Sequence, residues 1–292
     1  MYAREVSTEN RYTIKRKGLL RMPKVITKIT RQKRNEERYN IFLNEEYSFS
    51  VDEKILVQYG LTKGKVLDEW ALGDIAFEDE VARAFNRGLS YLTYQMRSEE
   101  EVRKKLRDAE FGEAVIQEAI QKLVRLGFLN DAEFSRAFVE TKKNTMKKGP
   151  RAIQQELKRK GIDEKTQQQA LGEFDEGEQL QLAYELAEKK QRQESRKTPM
   201  QQKQKIQDFL LRKGYSFGII EQAIAKLDFT TEEDDWSAML EGQGEKAWKK
   251  YASKFTGYDL HMKVKQALYQ KGFPSEIIEA FIEQKENENE EV

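Results

Sequence analysis

Cysteine is absent from this 292-residue chain, and histidine occurs once, as His261. Without cysteine there is no disulfide framework, no thiolate nucleophile and no cysteine metal site. A metal site would have to join His261 to carboxylates at helical spacing, and no convincing set surrounds it. Serine–histidine catalysis would have to use this one imidazole. The plainer reading is a packed or surface histidine beside Leu260. Neither a G-x-x-x-x-G-K-[ST] nor a G-x-G-x-x-G motif occurs. Gly242-Gln243-Gly244 reads as a short loop between helices and a poor phosphate cradle. No run approaches the roughly 20 apolar residues of a membrane helix, and the N-terminus lacks the apolar core of a signal peptide. These absences lead us to expect no catalytic residues, cofactor, metal or membrane contact, and a cytoplasmic setting.

Charge is what the chain has in quantity. Charged residues make up 35% and apolar residues 38%, with a mean hydropathy of −0.84. That is polar for a globule and ordinary for a helical array with much surface. The 52 basic and 51 acidic residues nearly cancel, at a net charge of +1, yet they are sorted along the chain. Basic residues dominate from Arg4 to Arg38. Between Lys142 and Lys160, Lys142, Lys143, Lys147, Lys148, Arg151, Lys158, Arg159 and Lys160 face a single acid, Glu156. From Glu276 to Val292 the only base is Lys285. Segregated blocks under a balanced total point to a polyanionic partner or a charged protein groove. The competing reading is a set of solvated helix faces.

One helical unit runs through the chain four times. Its anchors are Leu106, Leu157, Leu210 and Leu268, at intervals of 51, 53 and 58 residues. Four residues before them stand Val102, Ile153, Ile206 and Val264; five after them, Phe111, Ile162, Tyr215 and Phe273; fourteen after them, Ile120, Leu171, Ile224 and Ile282. In three repeats the turn reads Lys-Gly (Lys160-Gly161, Lys213-Gly214, Lys271-Gly272), and the first departs with Ala109-Glu110. A helical period near 50 means stacked units that need their neighbours for a core. Each unit is read as three helices, in the second repeat Asp131 to Lys143, Pro150 to Lys160 and Glu164 to Glu173.

Local signals mark the helix ends. Pro150, Pro199 and Pro274 suit a first turn, Thr198 suits an N-cap, and Ser98 with Glu101 forms a capping box, which Asn130 with Glu133 resembles. Gly127, Gly161, Gly214 and Gly272 fall where a left-handed residue ends a helix. From Lys24 the period is two, through Val25, Thr27 and Ile29, then Tyr39, Ile41 and Leu43, then Tyr47, Phe49 and Val51, with turns at Asn35-Glu36 and Asn44-Glu45. This predicts a sheet of two or three strands packed on the helix that follows. Asp52 caps a short helix ending at Gly60; only helices are read beyond it. Lys189 to Lys197 reads as a basic insert. Tyr91, Tyr94, Phe134, Phe138, Tyr215 and Phe273 are read as core, with base stacking the minor alternative.

The expected fold is mainly α: tandem three-helix repeats in an elongated curved array, with a small N-terminal antiparallel β element. The expected organisation is a flexible basic arm over 1–22, the β element and short helix over 23–60, linking helices and repeat 1 over 61–128, repeats 2, 3 and 4 over 129–176, 177–230 and 231–285, and an acidic tail over 286–292. Met22-Pro23 as the natural start is the alternative for the arm.

Several segments together resemble the RecX family of bacterial regulatory proteins. They are Tyr91-Leu92, Gln95-Met96-Arg97-Ser98 with Glu101-Val102, and Leu126-Gly127-Phe128-Leu129-Asn130-Asp131 with Phe134. The strongest is Gly149-Pro150, Ile153, Glu156-Leu157 and Lys160-Gly161-Ile162. The similarity is strong over 81–175, continues to about 283, and is nearest to the longer Gram-positive-type members. Gln95 departs from the arginine expected there. The resemblance implies a regulator without catalysis that binds the RecA recombinase filament in its helical groove and modulates, usually inhibits, strand exchange and ATP turnover, with a monomer expected. It also implies contact with single- or double-stranded DNA. Arg97 and the Lys142–Lys160 cations are the candidate contact residues. A helical repeat protein acting on nucleic acid directly is the alternative.

Overall fold

The computed structural model describes residues 24–231 and 233–290. The basic arm expected over 1–22 and the end of the acidic tail lie outside the described residues. The chain divides into two compact units: one ends at Tyr91 and takes in Lys105–Arg125, and the other comprises Leu92–Lys104 and the residues from Leu126 onward.

In the first unit, β1 (Lys24–Arg31), β2 (Arg38–Leu43), β3 (Glu46–Asp52) and β4 (Val66–Leu67) form an antiparallel sheet in the order β3-β2-β1-β4. Two or three strands were expected. The fourth has only two residues, too few to display a period of two. Asn44 and Glu45 turn the β2–β3 hairpin with φ of 51° and 71°, as a two-residue hairpin of matching twist requires. Alternation places Ile26, Ile41, Leu43 and Val51 in a core with Ile55 of α1 (Glu53–Gln58) and Ile75 of α2 (Glu69–Leu92). Asp52 caps α1 by accepting from the Lys54 amide. Asp79 of α2 accepts from the Arg38 guanidinium at 2.8 Å and the Asp52 amide at 3.0 Å, which ties the sheet to the helix. This single 24-residue helix stands where several linking helices were expected. Helix α4 (Glu113–Arg125) completes the unit, and its Lys122 pairs with Glu78 at 3.0 Å.

Helix α3 (Glu99–Arg107) starts with the predicted capping box, the Ser98 and Glu101 amides and side chains bonding reciprocally. Repeat 2 is α5 (Asp131–Met146), α6 (Pro150–Arg159) and α7 (Glu164–Gly172). Repeat 3 is α8 (Glu176–Gln193), α9 (Pro199–Lys213) and α10 (Phe217–Ala225). Repeat 4 is α11 (Glu233–Ala252), α12 (Gly257–Tyr269) and α13 (Ser275–Glu290). Four expectations are corrected. Lys189–Lys197 is the end of α8 and a turn, not an insert. Gly242-Gln243-Gly244 lies within α11, where a Cβ on Gly244 would meet the Phe281 ring at 2.8 Å. Pro274 precedes its helix by one residue. Tyr94 is 88% exposed, whereas Phe134, Tyr215 and Phe273 are core.

Each anchor leucine ends its helix in the same way. The residue four positions on, Glu110, Gly161, Gly214 or Gly272, has a φ of 64°, 78°, 94° or 86°. The next amide returns to the leucine carbonyl: Phe111 to Leu106 (3.3 Å), Ile162 to Leu157 (3.2 Å), Tyr215 to Leu210 (3.2 Å) and Phe273 to Leu268 (3.3 Å). This is the Schellman closure, in which the apolar residue after the left-handed one packs back on the helix. It explains the apolar residue five places after each leucine.

Three of these turns carry the joint between repeats. Ser98, the N-cap of α3, donates through its hydroxyl to the Lys160 carbonyl at 2.7 Å. The Gly149 amide, at the N-cap of α6, donates to the Lys213 carbonyl at 2.8 Å, and Arg151 follows to Gly214 at 3.1 Å. The Thr198 hydroxyl, at the N-cap of α9, donates to the Lys271 carbonyl. The start of the middle helix of one repeat thus sits on the Lys-Gly turn of the next. The approach leaves no room for a side chain. A Cβ on Gly161 would meet Glu100 Cβ at 2.5 Å, one on Gly214 would meet Ala152 Cβ at 2.5 Å, and one on Gly272 would meet Met200 Cβ at 2.7 Å. Among the described residues no preceding repeat seats on the turn of repeat 1, where Glu110 is exposed, so its side chain is tolerated there.

Gly127 is the internal comparison. Its φ is 76°, and a Cβ there would meet nothing within 4 Å. Gly127→Ala is expected to cost only the left-handed penalty, about 1–2 kcal/mol. Gly214→Ala is expected to cost that plus overpacking of about 1–3 kcal/mol. Urea unfolding of the two full-length variants checks this, and equal losses would show that the joint does not demand glycine.

Candidate interaction surface

The cations between Lys142 and Lys160 divide into two groups. Ile153 and Leu157 are fully buried on the inner face of α6, which turns Arg151, Lys158 and Arg159 outward, as helical spacing requires. All three are exposed, and none has a carboxylate partner among the described residues. Arg159 Nε donates only to the Gln155 carbonyl, at 3.3 Å.

The remaining cations are spent within the protein. Glu156 accepts from Lys142 at 3.0 Å and also from Lys148. Lys143, with its side chain only 7% exposed, bridges Glu140 at 2.6 Å and Glu178 at 2.8 Å. Lys147 pairs with Glu185. Lys160 pairs with Glu101 at 2.7 Å, and its ammonium lies 5.8 Å from the Phe134 ring centre and 5.7 Å from that of Phe138. Arg97 pairs with Glu101 at 3.7 Å. The partners Glu101, Glu178 and Glu185 belong to neighbouring repeats, so much of the block fastens repeat 2 to repeats 1 and 3. The Lys213 ammonium and the Tyr215 hydroxyl add to the second joint, donating to the Met146 and Lys147 carbonyls at 2.9 and 3.1 Å.

These pairs set the local acidities. Partial burial pushes the Glu156 carboxyl up, but the Lys148 and Lys142 ammonium groups outweigh it and hold it below its ordinary 4.5. Glu101 behaves likewise, burial being outweighed by Lys160, the Ser98 amide and Arg97. Burial disfavours the Lys143 ammonium, and Glu140 and Glu178 more than offset it, so its pKa lies above the usual lysine value.

The spacing of the basic residues did not reveal this partition, because the carboxylates lie on other helices. A window count also weights Glu156 as one acid among eight bases, whereas it pairs with two of them. A second exposed surface escaped notice altogether: Tyr258, Met262 and Tyr269 lie along one face of α12 at 76%, 47% and 65% exposure. His261 sits beside them, stacked on Trp248 at 6.1 Å between ring centres and 3.0 Å from a Glu286 oxygen.

Comparison with known proteins matches nearly the whole described chain. Residues 24–68 match the RecX regulatory protein N-terminal domain, 84–123 the first RecX three-helix domain and 130–171 the second. The third three-helix domain matches twice, at 176–224 and 233–282. The chain belongs to the RecX family. Among its relatives, the regulatory protein RecX of Halalkalibacterium halodurans is 42% identical over 262 residues, spanning 88% of this chain and 98% of the relative. That of Bacillus subtilis is 41% identical over 262 residues, spanning 89% and 98%. A crystal structure of a regulatory protein RecX superposes with a TM-score of 0.63 at 37% identity, over 70% of this chain and all of that one. RecX from Lactobacillus salivarius gives 0.50 at 36% identity, over 52% of this chain and 99% of its own. Among the described residues, no helix is long and apolar enough to cross a membrane.

The charge partition is testable through pH. A carboxyl held below 4.5 in the folded state stabilises the protein above that value and loses the contribution as pH falls through its folded pKa. Glu156→Gln is therefore expected to cost on the order of 1–3 kcal/mol at pH 7. The difference from the parent should close as pH drops below 4.5. Urea unfolding across pH measures it, and a difference independent of pH would contradict the assignment.

Proposed function

We propose that this chain regulates homologous recombination by binding the RecA recombinase filament and restraining its strand exchange and ATP turnover, by contact and not by catalysis. The observation that carries this reading is the family match across every repeat. The repeat construction supports it. A row of similar units held by the same joint offers several contacts to a helical polymer, and later contacts are then effectively intramolecular. Arg151, Lys158 and Arg159 on α6 are the cations we assign to the filament or its DNA, because the other cations of the block already have partners.

Direct DNA binding is the second reading, favoured by those three unpaired cations on one helix. The two readings separate by experiment. Added to recombinase on single-stranded DNA, the protein is expected to lower DNA-dependent ATP hydrolysis. The triple variant Arg151→Glu, Lys158→Glu, Arg159→Glu is expected to need roughly tenfold or more protein for the same effect, about 1.4 kcal/mol of affinity. ATP hydrolysis and strand exchange both unchanged at saturating protein would refute the proposal. If the protein also binds single-stranded DNA alone, the triple variant should lower the slope of log affinity on log salt by about 2, three phosphates at about 0.7 each.

A further inference from the structure

The joint between repeats has two halves, and the chain carries one unused example of each. The first half is the opening of a middle helix: Ser98 and Glu101 before repeat 2, Gly149 and Arg151 before repeat 3, Thr198 and Met200 before repeat 4. Repeat 4 has the corresponding opening at Thr256, Gly257, Tyr258 and Asp259. All four residues are exposed, Tyr258 at 76%, and the Thr256 hydroxyl makes no capping bond. Thr256 and Asp259 repeat the spacing of Ser98 and Glu101, where Glu101 holds the lysine of the incoming Lys-Gly turn at 2.7 Å. The second half is the turn after an anchor leucine. The turn of repeat 1, Leu106 to Phe111, has the same closure and the same left-handed residue as the other three. It differs in being Ala109-Glu110, with Glu110 exposed.

We propose that the opening of α12 and the turn after α3 are complementary halves of a latent joint between two chains, head to tail, and that Ala109-Glu110 keeps it from forming. Two features of that dipeptide oppose the joint. In each joint inside the chain, a Cβ on the left-handed residue would stand 2.5–2.7 Å from a Cβ of the incoming helix, and Glu110 carries such a Cβ. The dipeptide also supplies a carboxylate and no ammonium toward Asp259, so like charges meet where Lys160 and Glu101 attract. A second chain is the occupant this face fits, because three occupied joints within the chain show what seats on it. A head-to-tail contact of this kind leaves a free half at each end, so chains could add one to another, as rings or as open chains. The dipeptide therefore keeps a self-complementary array of repeats from polymerising.

Sedimentation equilibrium of the full chain tests this. The parent is expected to keep one mass across concentrations. Ala109→Lys with Glu110→Gly restores the Lys-Gly turn and is expected to raise the weight-average mass about twofold or more with concentration. Adding Asp259→Lys and Thr256→Val to that variant is expected to return it to the parent mass. Glu110→Gly alone relieves a left-handed non-glycine residue, so it should fold at least as well as the parent and show a weaker association of the same kind. Restored variants that sediment like the parent overturn the proposal. So does association that survives the changes at Thr256 and Asp259.

Discussion

A helix that ends in a left-handed glycine exposes backbone carbonyls with no side chain in front of them. Another helix can then bring its first turn into contact, and a donor at its N-cap finds one of those carbonyls, which would otherwise lack a partner. In this protein that contact joins successive repeats through Lys160-Gly161, Lys213-Gly214 and Lys271-Gly272. The donor changes from a serine hydroxyl to a backbone amide to a threonine hydroxyl, yet the acceptor is always the lysine carbonyl. The middle helix of repeat 3 starts one turn earlier relative to its anchor leucine than that of repeat 2, and the joint is still made. The rest of each repeat, its three short helices and small core, hangs on this fixed point. Steric room at one glycine therefore governs which sequences can stack.

Electrostatics follow the same joints. Lys160 reaches back to Glu101, while Lys143 and Lys147 reach forward to Glu178 and Glu185. These are partly buried pairs, and they fasten helices already placed by the backbone contact. The joints leave exposed, among other residues, the Arg151, Lys158 and Arg159 side chains on α6 and the Tyr258–Met262–Tyr269 face of α12. A basic run of sequence is thus mostly internal fastening with a narrow cationic face beside it.

The features legible in the sequence were the local ones. The anchor leucines, the left-handed glycines, the Ser98 and Thr198 caps and the Asp52 cap each follow from chemistry within a few residues, and each is where the pattern put it. Contacts between distant segments were illegible. β4 is a strand only because β1 lies beside it. Gly242 and Gly244 are helical, with the Phe281 ring packed against Gly244, whereas glycine alone suggested a loop. The ion-pair partners of the basic block lie up to 59 residues away, from Lys160 to Glu101, beyond any window of helical spacing. The one irregularity visible from the start, Ala109-Glu110 in place of Lys-Gly, is explained only once the neighbouring repeat is seen to need the glycine.

Amide hydrogen exchange read residue by residue on the full chain tests the joint most directly. First-turn amides of a helix have no partner in their own helix and exchange quickly unless something else accepts them. Gly149 and Arg151 donate to Lys213 and Gly214 across the joint, whereas Tyr258, in the first turn of α12, is exposed and meets no such turn among the described residues. Slow exchange is expected at Gly149 and Arg151, fast exchange at Tyr258, and loss of the first protection in Gly214→Ala while the interior of α6 stays protected. Equal, fast exchange at all three positions in the parent chain would contradict this.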